Sequence, residues 1–237
     1  GSKVIGRHGG DLRTMIGRAK DIRLLVVYGY ARLVAYNQKF ELVPDILKSV
    51  EIKDGRQFTL KLRSGHKWSD GQPFTAEDFR YWWEDVANNI KTSPSGPPRL
   101  MLVDGRPPVF EVLDDTTVRF TWTKVNPYFL PRLAGASPLF IYRPSHYLKQ
   151  YHGKYADEKK LKNLLRENRT RSWASLHNRF DNMYRFDNPN LPTLQPWINT
   201  TRPPATRFIG VRNPYYYRVD ERGQQLPYLD RIIMLVS

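Results

Sequence analysis

Apolar and polar positions alternate from Phe58 to Arg63, with Phe58, Leu60 and Leu62 set against Thr59, Lys61 and Arg63. Period two is the mark of a strand with one buried face. A second run, Val50 to Ile52, precedes it across Asp54-Gly55, a strong hairpin signal. Ser64-Gly65 ends the strand, and Ser69-Asp70-Gly71 with Pro73 supplies a further turn. The period then changes. Phe79, Trp82, Trp83 and Val86 fall on one helical face, Thr75 stands at the N-cap position, and Glu77 and Asp78 occupy the first turn, where the helix dipole favours carboxylates. The pattern predicts a helix over 75–89 with Trp82 and Trp83 in the core.

The same reading predicts a first strand over 10–15, a loop over 17–21 and a helix or helix-turn over 22–33. Thr92 to Pro98 reads as a rigid surface loop, and 110–112 with 118–122 as a second hairpin around Asp114-Asp115. A short helix starts at Asn126-Pro127-Tyr128 and ends near Gly135. A basic helix fills 158–169 and extends toward Asn178. Residues 187–204, rich in proline and asparagine, read as loop, and 208–211 and 231–236 as two more strands. Strands and helices interleave without strict βαβ repetition, which predicts a mixed α/β layered fold.

Composition narrows the function classes. With 40% hydrophobic and 13% aromatic residues the chain of 237 can build a real core, so global disorder is excluded. Cysteine is absent, which removes disulfides, thiolate metal sites and thiol catalysis. No apolar run approaches a membrane span. No signal peptide is visible, and the opening Gly1-Ser2 resembles a cloning scar. The five histidines show no HExxH spacing, and no P-loop, G-x-G-x-x-G or G-x-S-x-G is present. No cofactor or metal is expected.

The net charge of +15 is spread along the chain: +6 over residues 1–40, zero over 41–110, +2 over 111–150, +4 over 151–190 and +3 over 191–237. The densest stretch, Lys159 to Arg171, reads as a solvated helix face with Leu161, Leu164 and Leu165 turned inward. Its functional alternative is a nucleic-acid or anionic-membrane patch.

The segment Phe58 to Asp78 resembles the signature of the family 5 solute-binding proteins of ABC importers, the dipeptide, oligopeptide and nickel group. The matching residues are Phe58, Leu60, Leu62, Arg63, Gly65, Trp68, Asp70, Gly71, Pro73, Phe74, Thr75, Ala76, Glu77 and Asp78. Leu42 to Ile46, Leu113 to Val118, Asn213 to Tyr217 and Leu226 to Ile232 resemble further elements of the family, so the likeness covers nearly the whole chain. One departure is Leu191 to Trp197 in place of the usual Gly-Thr-Gly-Pro-Tyr, a variant similar to members that bind oligosaccharides of the α-galactoside type.

The resemblance implies the first lobe of a class II periplasmic-binding-protein-like fold with a small α+β subdomain, truncated at the interlobe hinge, the second lobe being absent. Residues 1–45 and 186–237 would form the lobe's sheet and 46–185 the inserted subdomain. It implies no enzyme, but the capture of a soluble oligopeptide or oligosaccharide in the periplasm and its delivery to an ABC permease, without membrane insertion or nucleic acid. Ligands of the family are enclosed between two lobes, so a lone lobe is expected to bind weakly, and its unfinished sheet edge to favour self-association. The implied ligand contacts are Gly17, Arg18, Ala19, Lys20 and Asp21 after the first strand, Ser93 to Gly96 (with Ser95 and Gly96 foremost) after the tryptophan-rich helix, and Thr193, Leu194, Gln195 and Trp197 on the same face. Trp197 either stacks on a ligand or plugs the core. The rival readings are a basic nucleic-acid-binding module and a carbohydrate-processing enzyme.

Overall fold

The computed structural model describes residues 5–237, so the reading of Gly1-Ser2 lies outside the described residues. In chain order the strands are β1 (Asp11–Ile16), β2 (Val34–Tyr36), β3 (Leu42–Pro44), β4 (Leu47–Lys53), β5 (Gln57–Leu62), β6 (Val109–Asp114), β7 (Thr117–Thr121), β8 (Trp197–Asn199), β9 (Arg207–Arg212) and β10 (Arg231–Val236). The α-helices are α1 (Leu24–Gly29), α2 (Ala76–Arg80), α3 (Phe129–Ala134), α4 (Ser145–Leu148), α5 (Glu158–Glu167) and α6 (Trp173–Phe180). The chain divides into two compact units, one of residues 1–31, 66–73 and 182–237, the other of 32–65 and 74–181.

The first unit is built on a four-stranded sheet in the order β1-β10-β9-β8. β1 runs parallel to β10, and β9 is antiparallel to both β10 and β8. The pairing Asp11↔Arg231 starts the parallel ladder, and there the Arg231 guanidinium grips the Asp11 carboxylate through two bonds of 2.7 Å. Ile22, Leu25 and Val26 bury against the sheet side with Phe208 and Ile232 to Met234 in the core. The helix expected over 22–33 is shorter. A 3₁₀ turn (Ala19–Arg23) leads into α1, and Tyr30 takes a left-handed conformation (φ 45°) that stops it. The stretch expected to be loop over 187–204 contains β8, whose three residues are too few to show a period.

The second unit holds the sheet β4-β5-β7-β6, all antiparallel, and the small β2-β3 ladder, which the sequence did not reveal. Both predicted hairpins are present. Asp54 and Gly55 both have positive φ (53° and 62°), which the tight turn between β4 and β5 requires. The inward row of β5 meets a cluster of rings: Phe58 lies 5.1 Å from Phe129 and 5.8 Å from Trp122, and Trp122 lies 4.8 Å from Phe129. The Trp122 indole N–H is satisfied by the Met101 carbonyl at 2.8 Å, so burial leaves no orphan donor there.

The capping box at Thr75 forms with Asp78 as its partner. The helix then widens: Tyr81–Ala87 is a π-helical turn, with the Asn88 N–H bonded to the Trp83 carbonyl five residues back. Tyr81, Trp82, Trp83, Asp85, Val86 and Ala87 are all buried, far more than one α-helical stripe accommodates. Trp82 and Trp83 thus lie in the core as expected. The basic helix ends at Glu167, and α6 starts afresh at the Ser172 cap, because Arg169 adopts φ 50° between them. Among the described residues no helix is long and apolar enough to cross a membrane.

Candidate functional site

The loop after β1 starts at Gly17, which is exposed with Arg18 and Lys20, while Ala19 and Asp21 are half-buried. The Asp21 N–H donates to the Arg18 carbonyl at 2.9 Å. The Asp21 carboxylate sits 4.0 Å from Arg18 and 3.8 Å from Arg23, and Ile22 anchors the turn with no exposed surface. The loop therefore offers two solvated cations on a pinned backbone. In the second unit, Ser95 and Gly96 cap a built turn. The Gly96 N–H donates to the Ser93 carbonyl at 3.0 Å, and the Thr92 and Ser93 hydroxyls both donate to the Val86 carbonyl, at 2.7 and 2.8 Å. Gly96 has φ 78° with open space around it, so its freedom serves the turn.

The segment Thr193–Trp197 is largely packed inside the first unit. Thr193, Leu194 and Gln195 are buried, their side chains turned into the unit. The Thr193 N–H donates to Ser69 Oγ and the Ser69 N–H to the Thr193 carbonyl, each at 3.0 Å. Gln195 accepts from the Ala31 N–H (3.4 Å) and donates to the Ala31 carbonyl (3.1 Å). Asn213 Nδ2 donates to the Gln195 carbonyl at 2.9 Å. The segment is a clamp holding three parts of the first unit together, and buried amides of this kind are kept because every group is paired. Trp197 pairs with Arg212 at the sheet end where β10 begins, whereas Gly17 follows the end of β1 that faces Val236. The two expected contact segments therefore stand at opposite ends of one sheet.

Trp197 instead lines a cavity of about 310 Å³ with Tyr28, Gly29, Pro196, Tyr216, Arg218 and residues 226–229. Its indole nitrogen is buried without a hydrogen-bond partner. The Arg218 guanidinium lies over the rings of Tyr216 (5.8 Å) and Tyr217 (5.6 Å) and donates to the Tyr30 carbonyl at 2.6 Å, beyond the end of α1. Tyr228 is fixed by its hydroxyl, which donates to Asp220 at 2.6 Å. That bond lowers the Asp220 carboxyl below its ordinary range and raises the tyrosine. Aromatic rings and one cation suit a ligand with a flat apolar face and oxygen acceptors. Tyr28, Arg218 and Tyr228 were missed in the sequence. The only signal was their nearness to Tyr215–Tyr217 and to Leu226-Pro227-Tyr228, and neither shows which tyrosines meet α1.

The comparisons with known proteins decide the family. The model of the bacterial extracellular solute-binding proteins, family 5 Middle, matches residues 41–237. The chain belongs to this family. Among relatives, the periplasmic alpha-galactoside-binding protein of Rhizobium meliloti is 33% identical over 195 residues, which are 81% of this chain and 25% of that protein. The periplasmic oligopeptide-binding protein OppA of Escherichia coli K12 is 31% identical over 108 residues, 40% of this chain and 20% of that one. Among solved structures, an oligopeptide-binding protein OppA superposes with TM-score 0.83 at 33% identity, over 99% of this chain and 36% of its own. The periplasmic binding protein MelB of Agrobacterium fabrum C58, in complex with stachyose, does so with TM-score 0.72 at 28% identity, over 98% and 35%. The family 5 chain thus matches about a fifth to a third of the length of these relatives.

Proposed function

We propose that this chain is part of the substrate-binding component of an ABC importer, acting in the periplasm to capture an oligosaccharide and deliver it to a membrane permease. The observation that carries the sugar reading is the breadth of the likeness to the alpha-galactoside-binding relative, 195 residues against 108 for the oligopeptide-binding one. The cavity of about 310 Å³ beside Trp197, Tyr216 and Tyr228 fits that reading, since aromatic faces stack on pyranose rings. An oligopeptide is the second reading, favoured by the TM-score of 0.83 to OppA. In this proposal Arg18 and Lys20 hold polar groups of an extended ligand at the end of the first unit's sheet opposite the Trp197 cavity, and Thr193 to Gln195 position the sheet without touching ligand.

Calorimetric titration of the full-length natural protein with stachyose and with a tetrapeptide tests the proposal. Saturable heat with stachyose alone supports it, heat with the tetrapeptide alone moves the assignment to the second reading, and no heat from either overturns both. Arg18→Ala is expected to weaken binding about tenfold, the loss of one charge-assisted hydrogen bond. The conservative Thr193→Ser is expected to leave the Kd unchanged.

A further inference from the structure

We propose that the basic end of the second unit, formed by α5 and the turn into α6, is a docking surface for an anionic lipid headgroup layer. Within α5 only Leu161 is buried. Lys159 and Arg166, seven residues apart, share the side away from it with Lys160 at its flank, and all three are exposed, as are Arg169 and Arg171 in the turn. Among the described residues none of these five enters an ion pair; Lys162 alone in this stretch is neutralised, by Glu158 at 2.7 Å. The contrast within the same unit is Arg80, which is paired with Glu77, Glu84 and Asp85 at 2.6 to 2.9 Å.

The backbone that carries these cations is tied down. Asn168 Nδ2 donates to the Leu164 carbonyl (2.9 Å), and the Asn168 carbonyl accepts from Thr170 Oγ1 (3.1 Å) and from Arg179 (3.2 Å). The charges therefore form a fixed array rather than a floppy tail. Two features favour lipid over nucleic acid. The array is a convex helix face, not a groove that follows a phosphate backbone. The aromatics beside the cations, Trp173 and Phe180, are already engaged: Trp173 is packed on the His152 ring at 4.3 Å with Lys91 Nζ over its face at 6.0 Å, and Phe180 carries the Arg179 guanidinium at 5.7 Å. Anionic headgroups need only the summed attraction of cations held near the surface. The inference is independent of the ligand assigned above.

The test is co-flotation of the chain with vesicles of phosphatidylglycerol mixed with phosphatidylcholine, and with phosphatidylcholine alone. Binding is expected only to the anionic vesicles and is expected to vanish at high salt. The triple variant Lys159→Gln, Lys160→Gln, Arg169→Gln is expected to lose roughly a hundredfold in partitioning, about fivefold per cation. A control triple variant in the first unit, Arg13→Gln, Arg202→Gln, Arg222→Gln, removes the same charge from exposed positions and is expected to keep most of the binding. Four results overturn the proposal: no binding to anionic vesicles at low salt, equal binding to both vesicles, equal loss in the two variants, or tighter binding to a DNA duplex that the first variant abolishes.

Discussion

Acidification is expected to destabilise the second unit chiefly through His177. It stands on α6 with no exposed surface. Its Nε2 is 2.8 Å from the Tyr81 hydroxyl, and its Nδ1 has no partner. The groups facing it are Tyr81 from the π-helical turn, His152 with ring centroids 5.7 Å away, and Asp181 at the end of α6, itself held by Arg143 at 3.1 Å. Burial pushes the imidazole down to about 4, and Asp181 opposes this only in part. His152 is also lowered, chiefly by burial.

The folded form thus holds His177 neutral at pH values where the unfolded chain, titrating near its ordinary 6.5, already takes up a proton. The stabilisation is present in full above pH 6.5 and is lost as pH falls from there to about 4, where both states are protonated. The gap corresponds to roughly 3 kcal/mol. The assay is urea unfolding, followed by tryptophan fluorescence, of the wild-type chain and His177→Gln across that window. Glutamine keeps a polar partner for Tyr81 but does not titrate, and His152 is common to both proteins. The variant is expected to be less stable near neutrality and to close the gap by about 3 kcal/mol on acidification. Parallel stability curves would refute the reasoning.

Other perturbations follow from the packing. Asp78→Ala removes the acceptor for the Thr75 N–H (3.2 Å), the Ser145 N–H (3.0 Å) and the Ser145 hydroxyl (2.8 Å), and is expected to cost about 2–3 kcal/mol in urea unfolding. Gly29→Ala places a methyl 2.8 Å from Pro196 Cδ, so a loss of about 1–3 kcal/mol is expected, with no change if Pro196 yields freely. Arg32→Met leaves the Gly135 and Ala136 carbonyls, which Arg32 holds at 2.9 and 3.1 Å, without their donor; about 2–3 kcal/mol of destabilisation is expected, measured the same way.

What the sequence by itself determined are the elements whose causes are local. The Phe58–Leu62 alternation, the Asp54-Gly55 turn and the Thr75 cap with Asp78 are decided by backbone sterics, side-chain period and bonds within three residues. The residues 58–78 motif likewise identified the family, which the match over 41–237 now shows. Tertiary structure alone decided what depends on partners distant in the chain. Only the packed core widens Tyr81–Ala87 into a π-helical turn, because several large side chains must bury on one short segment. Three residues became β8 only because β9 was there to pair with them. Thr193 and Gln195 are held in a clamp because Ser69, Ala31 and Asn213 take their polar groups, and Ser69 and Ala31, more than a hundred positions away, leave no period or motif from which to read that pairing.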